Sequence, residues 1–313
     1  MRVLVVGAGA TGGYFGARLA EAGRDVTFLV RPARAEKLAV EGLVVSSPVG
    51  DIHIAKPATV TAPDLAESRA GSFDLVLLSC KAYGLDGALD DVAPAVGPET
   101  AILPILNGMR HLDALDARFG QGRVLGGSCA IVATLGASGE IRQMNDLHTL
   151  TYGERDGSRS DRVGAVETLM QGVRFQPKAS EAMVLEMWEK WVFLATLAGS
   201  TCLMRATIGD IVGAPGGLAF VDALYDECIA IATANGFVPR EKPVRNGRGI
   251  LTAEGSAFTA SMLRDIENGA RIEADHIVGD LIARAPDASA CPLLGQAYTH
   301  LKAYERRRAR EQA

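Results

Sequence analysis

The chain has 313 residues, 48% hydrophobic and 22% charged, the balance of an ordinary globular protein with room for about two domains. Its formal net charge of −5 argues against a nucleic-acid partner, because neutralising phosphates requires a basic face. The five cysteines (Cys80, Cys129, Cys202, Cys228, Cys291) are scattered and form no C-x-x-C pair, so they read as reduced thiols, with neither a disulfide framework nor a metal site.

The chain opens on a short β-branched run, residues 3–6, that ends in Gly7-Ala8-Gly9-Ala10-Thr11-Gly12. A helical pattern follows, with Phe15, Leu19 and Ala20 on one face. Strand, glycine turn and helix in that order are the setting in which G-x-G-x-x-G binds a dinucleotide. Gly7 permits the tight turn, Gly9 lets backbone approach a pyrophosphate, and Gly12 lets the helix pack on the strand. The helix N-terminus adds free N–H donors. The alternative is that the glycines serve a tight turn and nothing else.

The next strand, residues 25–30, ends where an NAD-preferring domain carries a carboxylate for the ribose hydroxyls. Here that position is Arg31, with Arg34 one helical step on. A guanidinium can grip a 2′-phosphate in a forked geometry, which points to NADP(H) over NAD(H), unless Arg31 is merely a solvated strand-end residue. A helix over 33–42 and a hairpin-type insertion at 43–47 and 51–56 come next. The apolar strand 73–79, a helix over 85–96, a strand at 100–106 and a helix over 110–119 follow. This alternation implies a doubly wound parallel sheet of Rossmann type. Residues 122–152, in β-type runs broken by Gly, Ser and Asn, are expected at the far edge of the same sheet, followed by a helix over 161–171.

Beyond Pro177 the patterns are helical, at 180–204, 219–234, 256–265, 271–285 and 293–308. The expected division is a dinucleotide-binding domain over 1–176 and an all-helical substrate domain over 177–313, with the active site in the cleft between them. The apolar stretch 191–204 falls short of the ~20 residues that cross a bilayer, and reads as a buried core helix. The N-terminal apolar run is only a strand long, so no signal peptide and no membrane partner are expected, and the reduced cysteines lead us to expect a cytoplasmic location. The basic run near the C-terminus reads as the solvated end of a last helix.

Four polar residues stand out. Lys81 and Asn107 (with Gly108) follow two neighbouring apolar strands at their carboxyl ends, where such sheets bind ligands; singly, each reads as a loop residue. Lys190 lies among Met187, Trp188, Trp191 and Val192. A buried ammonium is expensive unless paired, and its pKa tends downward, which suits a proton donor. The plainer reading pairs it with Glu186 at i,i+4 on an exposed stripe. Glu273 opens a helix, where the dipole alone favours a carboxylate, and His276 reads as an ordinary helix-surface histidine.

Together these residues make the chain resemble the ketopantoate reductases (2-dehydropantoate 2-reductases) over essentially its whole length. The carriers are Gly7-x-Gly9-x-x-Gly12, Arg31, Lys81-Ala82, Leu106-Asn107-Gly108-Met109 and Glu186-Met-Trp-x-Lys190. Ser261-Met-Leu-x-Asp265 and Gly269-x-Arg-x-Glu273-x-Asp275 complete the set. The resemblance implies NADPH-dependent reduction of a 2-oxo acid, a step of pantothenate biosynthesis. It makes Lys190 the catalytic lysine, Glu273 the carboxylate at the reacting oxygen and Ser261 a ligand of the substrate carboxylate. Lys81 and Asn107 would lie beside the nicotinamide and its ribose. The family usually carries asparagines four and eight residues after the lysine; here these are Leu194 and Ala198, on the same helix face and by resemblance at the substrate. Reduction of a different 2-oxo or 3-oxo acid therefore stands beside ketopantoate, as does a non-catalytic NADP(H)-sensing regulator. Apolar C-terminal helices add the expectation of a homodimer through the helical domain.

Overall fold

The computed structural model describes residues 1–67 and 73–312, and it divides into two compact units. The first comprises Met1–Leu106 and His111–Val184; the second runs from Leu185 onward and takes in Asn107–Arg110.

The first unit begins with β1 (Arg2–Val6), α1 (Ala10–Glu21), β2 (Asp25–Leu29) and α2 (Pro32–Glu41). An antiparallel hairpin, β3 (Leu43–Ser46) and β4 (Ile52–Ile54), precedes β5 (Thr59–Val60) and α3 (Ala62–Glu67). Then come β6 (Leu75–Leu78), α4 (Leu85–Val92), β7 (Ala101–Pro104) and α5 (Arg110–Phe119). The strands β5-β2-β1-β6-β7 form a parallel sheet in that order. Counted along the chain this is the doubly wound arrangement, in which the order reverses between β1 and β6. β6 is buried at every residue, as a central strand covered on both faces must be.

Residues 122–152 do not extend this sheet. They form β8 (Gly126–Leu135) and β9 (Ile141–Gly153), which pair antiparallel with an irregularity between Ile131 and Ala133. After α6 (Asp161–Leu169), β10 (Gln176–Ala179) joins them in a second sheet ordered β10-β9-β3-β4, with β8 also on β9. The chain leaves the first sheet after an isolated bridge between Ile102 and Val124. The short connection over 136–140 folds β8 straight back onto β9, so the hairpin satisfies its own backbone groups. The expected boundary at residue 177 falls inside β10, whose edge position tolerates Pro177.

The helix α1 packs on β1 and β2 of the first sheet and on β3, β4, β8 and β9 of the second. It is buried from Gly12 through Leu19, and its glycines let it lie between two layers. A Cβ on Gly16 would sit 2.5 Å from the Phe28 ring in one sheet, and one on Gly13 would sit 2.5 Å from Ile141 Cδ1 in the other.

Between these layers Arg18 is completely buried. It donates to Glu21 at 3.0 Å, to Ser47 at 2.9 Å and to the Gly50 carbonyl at 2.7 Å. Its Nε also donates to the Tyr14 hydroxyl at 3.3 Å, which lies 2.7 Å from His148 Nδ1. Burial, and then the Arg18 charge, hold the His148 pKa below its usual value against the opposing pull of Asp146. Burial likewise lowers His276 and His300. An unfolded histidine takes up its proton near pH 6.5, whereas these three resist it in the fold. Stability is therefore full above about pH 6.5 and declines as pH falls, while carboxylates remain ionised. We expect the melting temperature to drop between pH 7 and 5.5, and His148→Phe to flatten that slope. A flat wild-type profile would contradict the assignment.

The second unit contains all but the first two residues of α7 (Met183–Met204), with α8 (Ile208–Gly213), α9 (Gly217–Ala234), α10 (Glu241–Leu251) and α11 (Ser261–Glu267). A π-helical turn, Asp275–Gly279, runs into α12 (Asp280–Ala283), and α13 (Pro292–Glu311) closes the unit. α7 and α9 cross closely at Gly199, where a Cβ would lie 3.2 Å from Leu224. Two helices escape the sequence patterns, α8 and α10, although each carries a signal. Thr207 and Asp210 form a capping box at α8, and Pro243 sits in the first turn of α10, where its missing N–H is not needed. Among the described residues no helix is long and apolar enough to cross a membrane.

Candidate active site

The carboxyl edge of the first sheet collects residues from four adjacent strands. Val6 pairs with Leu29 and with Leu78, and Leu78 pairs with Pro104. Gly9, Lys81 and Asn107 each stand three residues beyond those matched strand ends, and Arg31 two beyond. Gly7 turns the chain at φ +91°, with its N–H donating to the Leu29 carbonyl at 2.9 Å. A Cβ on Gly9 would meet nothing within 4 Å, so the turn is open there to a ligand. A Cβ on Gly12 would overlap the Ser79 hydroxyl and lie 2.8 Å from the Gly7 carbonyl oxygen, so α1 rests directly on the end of β6.

The N-terminus of α1 is capped by Gly9, with no side-chain cap and no acid in its first turn. The N–H donors of Ala10, Thr11 and Gly12 have no partner within the helix and suit an anion. Arg31 is exposed at the head of α2. Arg34 is committed to the turn: it donates to the Ala8 carbonyl at 3.2 Å and to the Gly139 carbonyl at 3.0 Å. Its Nε is buried and lacks a hydrogen-bond partner, and burial lowers its pKa. An open glycine turn, an orphaned guanidinium N–H and an exposed arginine fit the phosphates of a dinucleotide. Lys81 is exposed at the head of a 3-10 turn, Ala82–Gly84.

In the second unit the π-helical turn is the point of convergence. Glu273, half-buried, lies just before it, and its carbonyl accepts the Ile277 N–H at 3.0 Å. Next along the turn is His276, which is 6% exposed rather than on the helix surface. A ring N–H of His276 donates to the backbone carbonyl of Asn107, and a Cβ on Gly108 would lie 3.0 Å from the ring. The Ile277 carbonyl accepts from Trp191 Nε1 at 2.8 Å, and Trp191 directly follows Lys190 on α7. Asn107, Glu273 and the Lys190 turn of α7 are thus gathered around five residues. Lys190 itself is half-buried, and Glu186 shares Arg240 with Glu189 at 3.6 Å.

Ser261 is less close to Lys190. Its neighbour Ala260 donates to Thr201 at 3.4 Å, eleven residues along α7 from Lys190, or roughly 16 Å of helix axis. Leu194 (half-buried) and Ala198 (2% exposed) occupy the intervening face. His276 and Trp191 are the residues that sequence patterns pass over. A helical period drawn through 271–285 puts His276 outside, whereas the π turn adds a residue and rotates it inward.

The family model described as Ketopantoate reductase PanE/ApbA matches residues 3–157, and that described as Ketopantoate reductase PanE/ApbA C terminal matches 182–305. The chain is 38% identical to the uncharacterized oxidoreductase YkpB of Bacillus subtilis, over 97% of this chain and 99% of that one. The crystal structure of 2-dehydropantoate 2-reductase from Geobacter metallireducens superposes with a TM-score of 0.85 at 27% identity, covering 96% of this chain and 99% of the other. The ternary structure of D-mandelate dehydrogenase with NADH and anilino(oxo)acetate superposes at 0.83, covering 97% and 100%, and at 17% identity shares the fold alone. With both halves matched by models of one family, the chain belongs to the ketopantoate reductase PanE/ApbA family of oxidoreductases.

Proposed function

We propose that this protein reduces the 2-oxo group of a 2-oxo acid with NADPH, and that 2-dehydropantoate is the first substrate to test. The observation that carries the reading is the gathering of Glu273, Asn107 and the Lys190 helix turn around one π-helical turn. When bound, NADPH supplies the hydride. The Lys190 ammonium holds the oxo oxygen, polarises it and gives it a proton, while Glu273 accepts a hydrogen bond from the resulting hydroxyl. Ser261 donates to the substrate carboxylate, Asn107 and Lys81 orient the reacting end of the cofactor, and Gly7 to Gly12 bind its pyrophosphate. Arg31 pairs with the 2′-phosphate, since Arg34 is already held on two carbonyls.

A second reading rests on the apolar face after Lys190. Leu194 and Ala198 offer no hydrogen bond to a hydroxylated side chain, so this face lacks the strong selection for a hydroxyl that a hydrogen-bonding site gives, and disfavours one by only about 10²-fold. This favours a 2-oxo acid with an apolar branch as the preferred substrate. The test is NADPH oxidation with 2-dehydropantoate and a panel of branched and aromatic 2-oxo acids, repeated with NADH and with Arg31→Ala. We expect turnover of at least one acid and an Arg31→Ala loss of roughly 10-fold or more for NADPH but not NADH, the effect of removing one charge-assisted pair. Tight NADPH binding without turnover of any acid would leave a cofactor-sensing protein instead.

A further inference from the structure

Three consecutive residues of the π-helical turn each fix a different element of the second unit. Asp275 accepts from the Tyr298 hydroxyl at 2.6 Å and from Lys302 Nζ at 2.9 Å, both on α13. His276 meets the Asn107–Gly108 turn, and the Ile277 carbonyl takes Trp191 of α7. The middle contact is the tightest. Gly108 stands at φ +76°, and a Cβ there would lie 2.7 Å from the His276 carbonyl oxygen, 3.0 Å from Cδ2 and 3.4 Å from Nε2. The Cδ2–Nε2 edge of the imidazole therefore faces the turn, with no room for a side chain between them.

We propose that His276 is a positioning residue, which clamps the Asn107–Gly108 turn and so holds Asn107 in register with Glu273 and with the Lys190 turn of α7. The use of the clamp rests on the reductase reading; the clamp itself does not. A π turn suits the task, because its extra residue directs the imidazole toward Asn107 while the following carbonyl is left for Trp191. The imidazole is buried and its pKa is lowered by that burial, against Glu273 and Asp280, which raise it, and with Arg110, which lowers it. It therefore acts as a neutral donor near pH 7.

The test compares His276→Phe, which keeps the ring volume without the donor, with His276→Gln, whose amide nitrogen can take the place of Nε2. In the full-length protein, amide hydrogen exchange over residues 105–110 should quicken at least about 10-fold in His276→Phe, with other segments unchanged. With NADPH and the best 2-oxo acid, kcat should fall about 10- to 100-fold while KM for the acid changes little, the size typical of a lost supporting hydrogen bond. His276→Gln should restore both. Wild-type exchange over 105–110 in the Phe variant, a kcat within about twofold of wild type, or failure of Gln to restore either would overturn the proposal. Should the Phe variant not fold, His276→Leu, which is smaller and likewise lacks the donor, is expected to give the same two readouts. A wild-type protein inactive on every 2-oxo acid removes the reductase reading, and the exchange rates then decide the clamp alone.

Discussion

Lys190→Ala is expected to lower kcat about 10³-fold while leaving NADPH affinity within about threefold, a loss typical of removing a general acid. The substitution is mild for the fold. Lys190 is half-buried in the middle of α7, where alanine is the best helix former. The packing of that turn is carried by its neighbours Met187, Trp188, Trp191 and Val192, each at most 4% exposed. Trp191 would keep its bond to the Ile277 carbonyl, so the π turn and Glu273 should stay in place. Lys190→Arg separates the two jobs assigned to the lysine. A guanidinium can still hold the oxo oxygen, but it does not release a proton near pH 7, so substrate binding should survive and turnover should not. Stopped-flow NADPH oxidation gives the rate, and quenching of the cofactor's fluorescence gives its affinity. A Lys190→Ala protein that loses NADPH binding or its melting transition together with activity would make Lys190 a structural residue.

Gly12→Val and Gly9→Ala should divide fold stability from cofactor binding within one turn. At Gly12 the new Cβ overlaps the Ser79 side chain and approaches the Gly7 carbonyl. Ser79 cannot swing away without giving up its 2.9 Å hydrogen bond to the Val6 carbonyl. Nor can α1 retreat, because Gly13 lies against Ile141 of the second sheet on its other side. Overpacking without a direction of relief costs about 3 kcal/mol, which for a chain of this size lowers the melting temperature by roughly 6–12 °C. NADPH binding should be lost as well, since the N-terminus of α1 moves. At Gly9 a methyl meets nothing in the protein. Gly9→Ala should therefore melt within about 2 °C of wild type, yet bind NADPH at least about 10-fold more weakly, because the methyl stands where a pyrophosphate must approach the backbone. Equal melting losses in the two variants would defeat this division of roles.

Much of the first unit is legible in the amino-acid sequence, because its signals are local. The glycine turn lies between a strand and a helix within sixteen residues, and the apolar run at β6 reports its own burial. The second sheet is not legible in this way, since β3 meets β9 through Val45 and Ile141, far apart in the chain. Pairing of that kind depends on α1 lying between the layers, which no local pattern records. In the second unit, α10 is hidden by Pro243, Gly247 and Gly249, residues that oppose a helix by propensity but are tolerated here. Gly247 is required there, because a Cβ would press on the Tyr225 hydroxyl.

His276 shows the limit most clearly. Its neighbours along the chain are polar enough to suggest a solvated helix face, and a regular period would put it there. The π-helical turn breaks the period, buries the ring and sets it against Gly108. Chain-local chemistry is enough to single out the glycine turn, the arginine beyond the next strand and Lys190, whereas Ser261 and the role of Glu273 come only from the family resemblance. That Asn107, Glu273 and the Lys190 turn of α7 meet at one π-helical turn, through the contacts of His276 and Trp191, depends on the packed unit. One added residue in a helix changes every face that follows it, and only packing against α7, α13 and the Asn107–Gly108 turn makes that irregular conformation the stable one.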